Sequence, residues 1–140
     1  LSQFYPIIFS TPKKNYKLLS CSVGNELHEM GIRMISDLFE YHGWDTVYLG
    51  AAVPNKSILE TIETEKPHIV ALSVTMPQHL LMCEELVREI RSAFPKVLIA
   101  VGGRAFTMTD ELWKSWKVDL YATDARTLIA LSEEAVKHLD

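Results

Sequence analysis

A chain of 140 residues, 48% of them apolar, has the length of one domain and enough hydrophobic side chains for a packed core, which excludes a disordered chain. A formal net charge of −4, with no basic run, excludes a direct electrostatic grip on nucleic acid. No apolar run reaches the length of a membrane span.

The opening, "LSQFYPIIFSTPKKNY", has no basic leader ahead of its apolar residues and so does not read as a secretory signal. It starts without Met, as a piece of a longer protein or a processed one would. Residues 1–16 are read as an N-terminal segment or linker, and 17–140 as the domain. "KLLSCSV" (17–23) is short, mostly apolar and ended by Gly24, the pattern of a buried strand. A helix is expected over residues 28–41, with Met34, Ile35, Leu38 and Phe39 as its apolar stripe and Gly43 as its stop. "TVYLG" is the second strand, closed by Gly50 and Pro54. A short helix over 56–65 turns Ile58, Leu59 and Ile62 inward. "HIVALSV" is the third strand, and Cys83, Leu86, Val87, Ile90 and Phe94 give the next helix its core face. "VLIAVGG" is the fourth strand, followed by a helix carrying Leu112, Trp113 and Trp116. "DLYAT" is a short fifth strand. The last helix, over 127–139, is expected to be buried through Leu128, Leu131, Ala135 and Leu139. Cys21 and Cys83 are too far apart for a metal-type pair. Both fall on apolar faces and read as reduced core thiols, which suits a cytoplasmic location.

Five strand-then-helix units with short connections imply a parallel sheet covered on both faces. The expected fold is a Rossmann/flavodoxin-like α/β three-layer sandwich with strand order 2-1-3-4-5. Ligands of such sheets bind at the carboxyl ends of the strands where the order reverses, here between strands one and three. The loops that matter are therefore 24–31 and 73–79, with the Gly102–Gly103 turn beside them.

Familiar ligands fit these loops poorly. A flavin mononucleotide site needs donors around a phosphate after strand one, but "GNELHEMG" (24–31) offers two carboxylates. A phosphoacceptor receiver needs Asp at the end of strand three, where Ser73 stands, and "YATD" after strand five has no Lys. A dinucleotide fingerprint needs Gly-x-Gly-x-x-Gly, and only Gly24 and Gly31 are present. A zinc site needs three or four ligands; His28 and His79 offer two, without an evident third. An isolated His near a helix start is ordinarily a partly exposed polar residue. Glu26, however, could accept from one ring nitrogen of His28, fix its tautomer and leave the other lone pair for a metal. Gly31 removes a side chain where a bulky ligand could approach the backbone.

These residues resemble the cobalamin-binding domain shared by methionine synthase, corrinoid methyl carriers, some mutases and light-responsive transcription regulators. That family carries Asp-x-His-x-x-Gly, then after about forty residues Ser-x-Leu or a close relative, then Gly-Gly. This sequence reads "ELHEMG" (26–31), "SVT" (73–75) and "GG" (102–103), in order, each after an expected strand. "YLGAAVP" after strand two is also similar. The resemblance implies that His28 is the lower axial ligand of cobalt, displacing the cofactor's own dimethylbenzimidazole, with Glu26 as its hydrogen-bonded partner. It implies a slot for the displaced nucleotide tail, lined by Ser73 and Thr75, with Gly102 and Gly103 leaving room beside strand four. The implied cofactor is cobalamin in its adenosyl, methyl or hydroxo form. From the residues alone, Ser73 and Thr75 could instead end a strand, and Gly102–Gly103 could be a tight turn. Met76 to His79 could border the ring or simply start a helix. Trp113 and Trp116 favour core packing over a cofactor stack, and Glu84, Glu85 and Arg88 a solvated face.

Two positions depart from the family pattern: Glu26 replaces Asp, and Thr75 replaces Leu. The Glu form resembles the photoreceptor and regulator branch, so the expected function is a light- or cofactor-responsive module and not a complete enzyme. The alternative is a corrinoid methyl-carrier subunit of a methyltransferase system. Further readings are a sensor of haem or another tetrapyrrole, and an interaction module without a cofactor. Expected partners are a helical cap domain or partner protein over the upper face, and a second copy of the chain. No nucleic-acid or membrane contact is expected.

Overall fold

Strands and helices alternate in a computed structural model that describes residues 15–24, 30–109 and 111–139, with backbone alone for 30–33. The elements are β1 (Lys17–Ser22), α1 (Met30–Tyr41), β2 (Asp45–Tyr48), α2 (Asn55–Glu65), β3 (Ile69–Ser73), α3 (Leu80–Ala93), β4 (Leu98–Gly102), β5 (Leu120–Tyr121) and α4 (Ala125–Val136). All strand pairings are parallel. The order β2-β1-β3-β4-β5 is the one expected from the sequence, and it puts the carboxyl ends of β1 and β3 at the reversal point. Among the described residues no helix is long and apolar enough to cross a membrane.

The two faces of the sheet are built differently. One face presents Leu19, Cys21, Val70, Leu72, Ile99 and Val101 to Ile58 and Ile62 of α2 and to Cys83, Leu86, Val87 and Ile90 of α3. These branched and bulky side chains interdigitate into a continuous core. The other face is bulky only at its amino end, where Leu18 and Ile69 meet Phe39, Trp44, Leu128, Ile129 and Val136. Towards the carboxyl end it narrows to Ser20, Ala71 and Ala100, then Ser22, Ser73 and Gly102. Cys21 and Cys83 are free and buried, and burial pushes the Cys21 thiol up to about 12.

Three expectations change. Met34 is not a core residue: it is 63% exposed, while Phe39 is buried. The helix expected around Trp113 and Trp116 is two 3-10 turns, Arg104–Met108 and Leu112–Trp116. Thr109 is extended, its hydroxyl returns to the Phe106 carbonyl at 2.9 Å, and Glu111 and Lys117 adopt left-handed backbone on either side of the second turn. Local side-chain bonding of this kind competes with helix propagation. Trp116 is nevertheless buried edge-on to Phe106, and Trp113 stacks on Tyr121 at 4.8 Å. In α4 the buried stripe is Leu128, Ile129, Ser132 and Val136, whereas Leu131 and Leu139 are 40% and 43% exposed. The polar Ser132 is fully buried within that stripe, and this concealed the stripe's phase.

Candidate functional site

Side chains two apart on a strand share a face, so β1, β3 and β4 deliver two rows of small residues under α1 and α4. The rows are Ser20–Ala71–Ala100 and Ser22–Ser73–Gly102. Ser20 reaches α1 through the Ser36 hydroxyl at 2.6 Å, but beside it the alanines and Gly102 leave a cavity of about 240 Å³, lined on the sheet side by Ala71, Ser73, Ala100, Gly102 and Ala122 and on the helix side by Met34, Ile35 and Leu128. It opens at the carboxyl edge, beside Gly103 and the Thr123–Asp124–Ala125 start of α4. Asp124 caps that helix, accepting from the Thr127 N–H at 2.8 Å. The hydrogen bonds from Thr127 hold its carboxyl below the usual carboxylate value.

Gly102 and Gly103 both line this cavity. Their missing side chains are required by the backbone as well. A Cβ on Gly102 would stand 2.6 Å from the Ala122 carbonyl oxygen, and one on Gly103, at φ +113°, would collide with the Val74 carbonyl oxygen. The pair thus acts both as a tight turn and as a wall of the cavity. Ser73 is half-buried and lines the cavity, whereas Thr75, also half-buried, stands outside its lining. Gly31 lies in the first turn of α1. Glu26 and His28 lie outside the described residues.

Gly24 is the described residue that precedes Glu26 and His28 in the sequence, and two other segments meet it. The Gly24 carbonyl accepts from the Ala52 N–H at 3.0 Å. The imidazole of His79 packs so closely on Gly24, at φ +87°, that a Cβ there would lie 2.5 Å from the ring. Met76, Pro77 and Gln78 are exposed around this junction. Nearby, at the start of α3 and after β4, Leu81 and Met108 also stand out as exposed apolar side chains. Among the described residues no three His, Cys, Asp or Glu side chains gather as a metal-ion site.

The sequence reading missed Ala71, Ala100, Ala122 and the Asp124 cap as parts of this site, and Ser22, which stands in register with Ser73 beside it. The signal was present in the alternation of small residues along β1, β3 and β4, but alternation shows only which residues share a face, not how far off the covering helix stands.

A model of the B12 binding domain family matches residues 16–130. The chain belongs to that family. Three solved structures share the fold of this B12 binding domain. The monomethylamine corrinoid protein of Methanosarcina barkeri superposes with a TM-score of 0.76 at 19% identity, over 94% of this chain and 64% of that one. A cobalamin-binding protein of Desulfitobacterium hafniense DCB-2 gives 0.77 at 22% identity, over 86% and 59%. The methanol:cobalamin methyltransferase complex of M. barkeri gives 0.76 at 19% identity, over 93% and 48%. The B12 binding domain chain therefore spans less than two thirds of the length of each of these proteins. No curated protein matches it.

The family implies a corrinoid, and the lining fits part of one. The cavity falls below the ~300–1,000 Å³ of sites that enclose a whole ligand, so it suits a flat appendage and not a macrocycle. The Ser22 hydroxyl, buried beside Ser73, has no hydrogen-bond partner among the described residues. Ser22 is outside the cavity lining but in register with Ser73, which is part of it, and a buried donor without a partner is what a polar appendage would complete.

Proposed function

We propose that this domain holds a corrinoid with its nucleotide tail detached from cobalt and buried in the slot between β3, β4, α1 and α4. His28 takes the lower axial position and Glu26 accepts from its other ring nitrogen. The observation that carries this reading is the cavity of small residues at the carboxyl ends of β3 and β4, together with the "ELHEMG" sequence that follows β1. The bound corrinoid supplies a cobalt centre that accepts and releases a methyl group. The protein's own task is to fix the ring on its carboxyl edge, keep the tail out of the way and present the upper face to a partner. Exposed Met76, Leu81 and Met108 give that edge the apolar character a macrocycle or covering protein requires.

Within this frame we favour the carrier subunit of a methyltransferase system over the light-responsive regulator suggested by the sequence. Support comes from the similarity to a corrinoid protein and to a methyltransferase complex. Mixing with hydroxocobalamin should yield an absorption spectrum with the nucleotide base displaced. His28→Ala should weaken binding or restore the base-bound spectrum, and Glu26→Ala, which removes the supporting carboxylate, should weaken binding by about 10- to 100-fold. An unchanged spectrum would remove His28 from the role. Methyl transfer to the reduced corrinoid by a companion methyltransferase would establish the carrier function.

The regulator remains a second reading because Glu26 replaces the family's Asp. A responsive module needs a ligand state that binds two conformations differently. Illuminating the adenosylcobalamin-loaded protein and finding neither its spectrum nor its size in solution altered would count against it.

A further inference from the structure

Ser22, the last residue of β1, is 3% exposed, yet its hydroxyl has no hydrogen-bond partner among the described residues. Ser20 offers an internal comparison: on the same strand and the same face, its hydroxyl meets that of Ser36 on α1 at 2.6 Å. The orphan therefore reflects position and not strand chemistry. Ser22 stands in register with Ser73, which lines the slot, and the alternation that sends Ser20 towards α1 sends Ser22 to the same side. An unpaired buried hydroxyl weakens the ligand-free fold, because water is lost without replacement.

We propose that Ser22 is a recognition residue for the nucleotide tail, its hydroxyl donating to a hydrogen-bond acceptor that enters the slot with the tail. The proposal rests on the corrinoid reading above and adds a residue to it. It implies two effects of opposite sign. Removing the hydroxyl strengthens the empty protein and weakens its hold on a tailed corrinoid. A residue that merely packed the strand end would move both in the same direction.

The test compares wild type, Ser22→Ala and Ser22→Cys, the last keeping the side chain's size without a strong donor. Melting temperature is measured without ligand. Affinity is measured for hydroxocobalamin and for cobinamide, a corrinoid that has no nucleotide tail. Both variants should melt about 2–4 °C higher and bind hydroxocobalamin roughly 10- to 100-fold more weakly, the effect of leaving a buried acceptor unpaired. Cobinamide affinity should match that of wild type. Variants that hold hydroxocobalamin as tightly as wild type, or lose cobinamide equally, would overturn the proposal. Wild type binding both corrinoids with equal affinity would remove the tail slot and the proposal with it, leaving ring binding intact. Wild type binding neither would remove the corrinoid reading itself.

Discussion

At the scale of single residues, the family was legible because three short motif elements stand in the family's order along the sequence, each at or just after the end of a strand. The reasons for individual residues were less legible. Gly103 was expected to make room for a ligand, but its first constraint is the Val74 backbone and a φ of +113°. Gly103→Ala should therefore destabilise the ligand-free protein by at least about 1–3 kcal/mol, the usual cost of an L-residue held in such backbone. Urea unfolding without cofactor checks this, and an unchanged midpoint would mean that the turn can relax. Ser22 escaped notice for the opposite reason. A serine closing an apolar strand looks ordinary until its hydroxyl proves to have no partner among the described residues.

At the scale of elements, periodicity located α1, α2, α3 and α4 and every strand of the sheet. It failed where local hydroxyls and left-handed residues cut a helix into turns, as at Thr109 and Glu111. It also misplaced the buried stripe of α4, because a scan for apolar residues passes over Ser132. The start of α4 matters most, since Asp124 both caps it and borders the slot. The Asp124 carboxyl is held below its ordinary value by the Thr127 hydrogen bonds. A depressed carboxyl stabilises the fold above its unfolded-state value, and the contribution disappears as pH falls through the folded one. Asp124→Ala should thus lower the melting temperature at pH 7, and the gap from wild type should close in acid below the usual carboxylate range. Thermal melts of the two proteins across that pH series test this, and a gap independent of pH would assign the loss to packing.

At the scale of the whole molecule, strand order was legible because alternating units and crossover handedness leave few arrangements. A slot was implied by the family resemblance alone, with Ser73, Gly102 and Gly103 at its wall; the residues did not show it, because the cavity arises from a mismatch between side-chain size and helix position that no single segment displays. The face under α2 and α3 is filled by branched residues, and the face under α1 and α4 is left open at one end. Ala100→Leu should fill that opening from the sheet side. The expected outcome is a loss of hydroxocobalamin affinity with cobinamide affinity retained, alongside a stability change within the ~1–3 kcal/mol typical of overpacking. Calorimetric titration with both corrinoids reads the difference, and equal loss of the two would mean that the change disturbs the ring site as well.

The open end of that face also carries a consequence for natural variety. Three alanines on three different strands or strand ends, Ala71, Ala100 and Ala122, line it together with the Gly102–Gly103 turn. Corrinoids differ among organisms in the base they carry. Under the proposed function, exchanging single methyl-sized groups at these alanines would retune the domain from one base to another without changing the residues proposed to hold the ring.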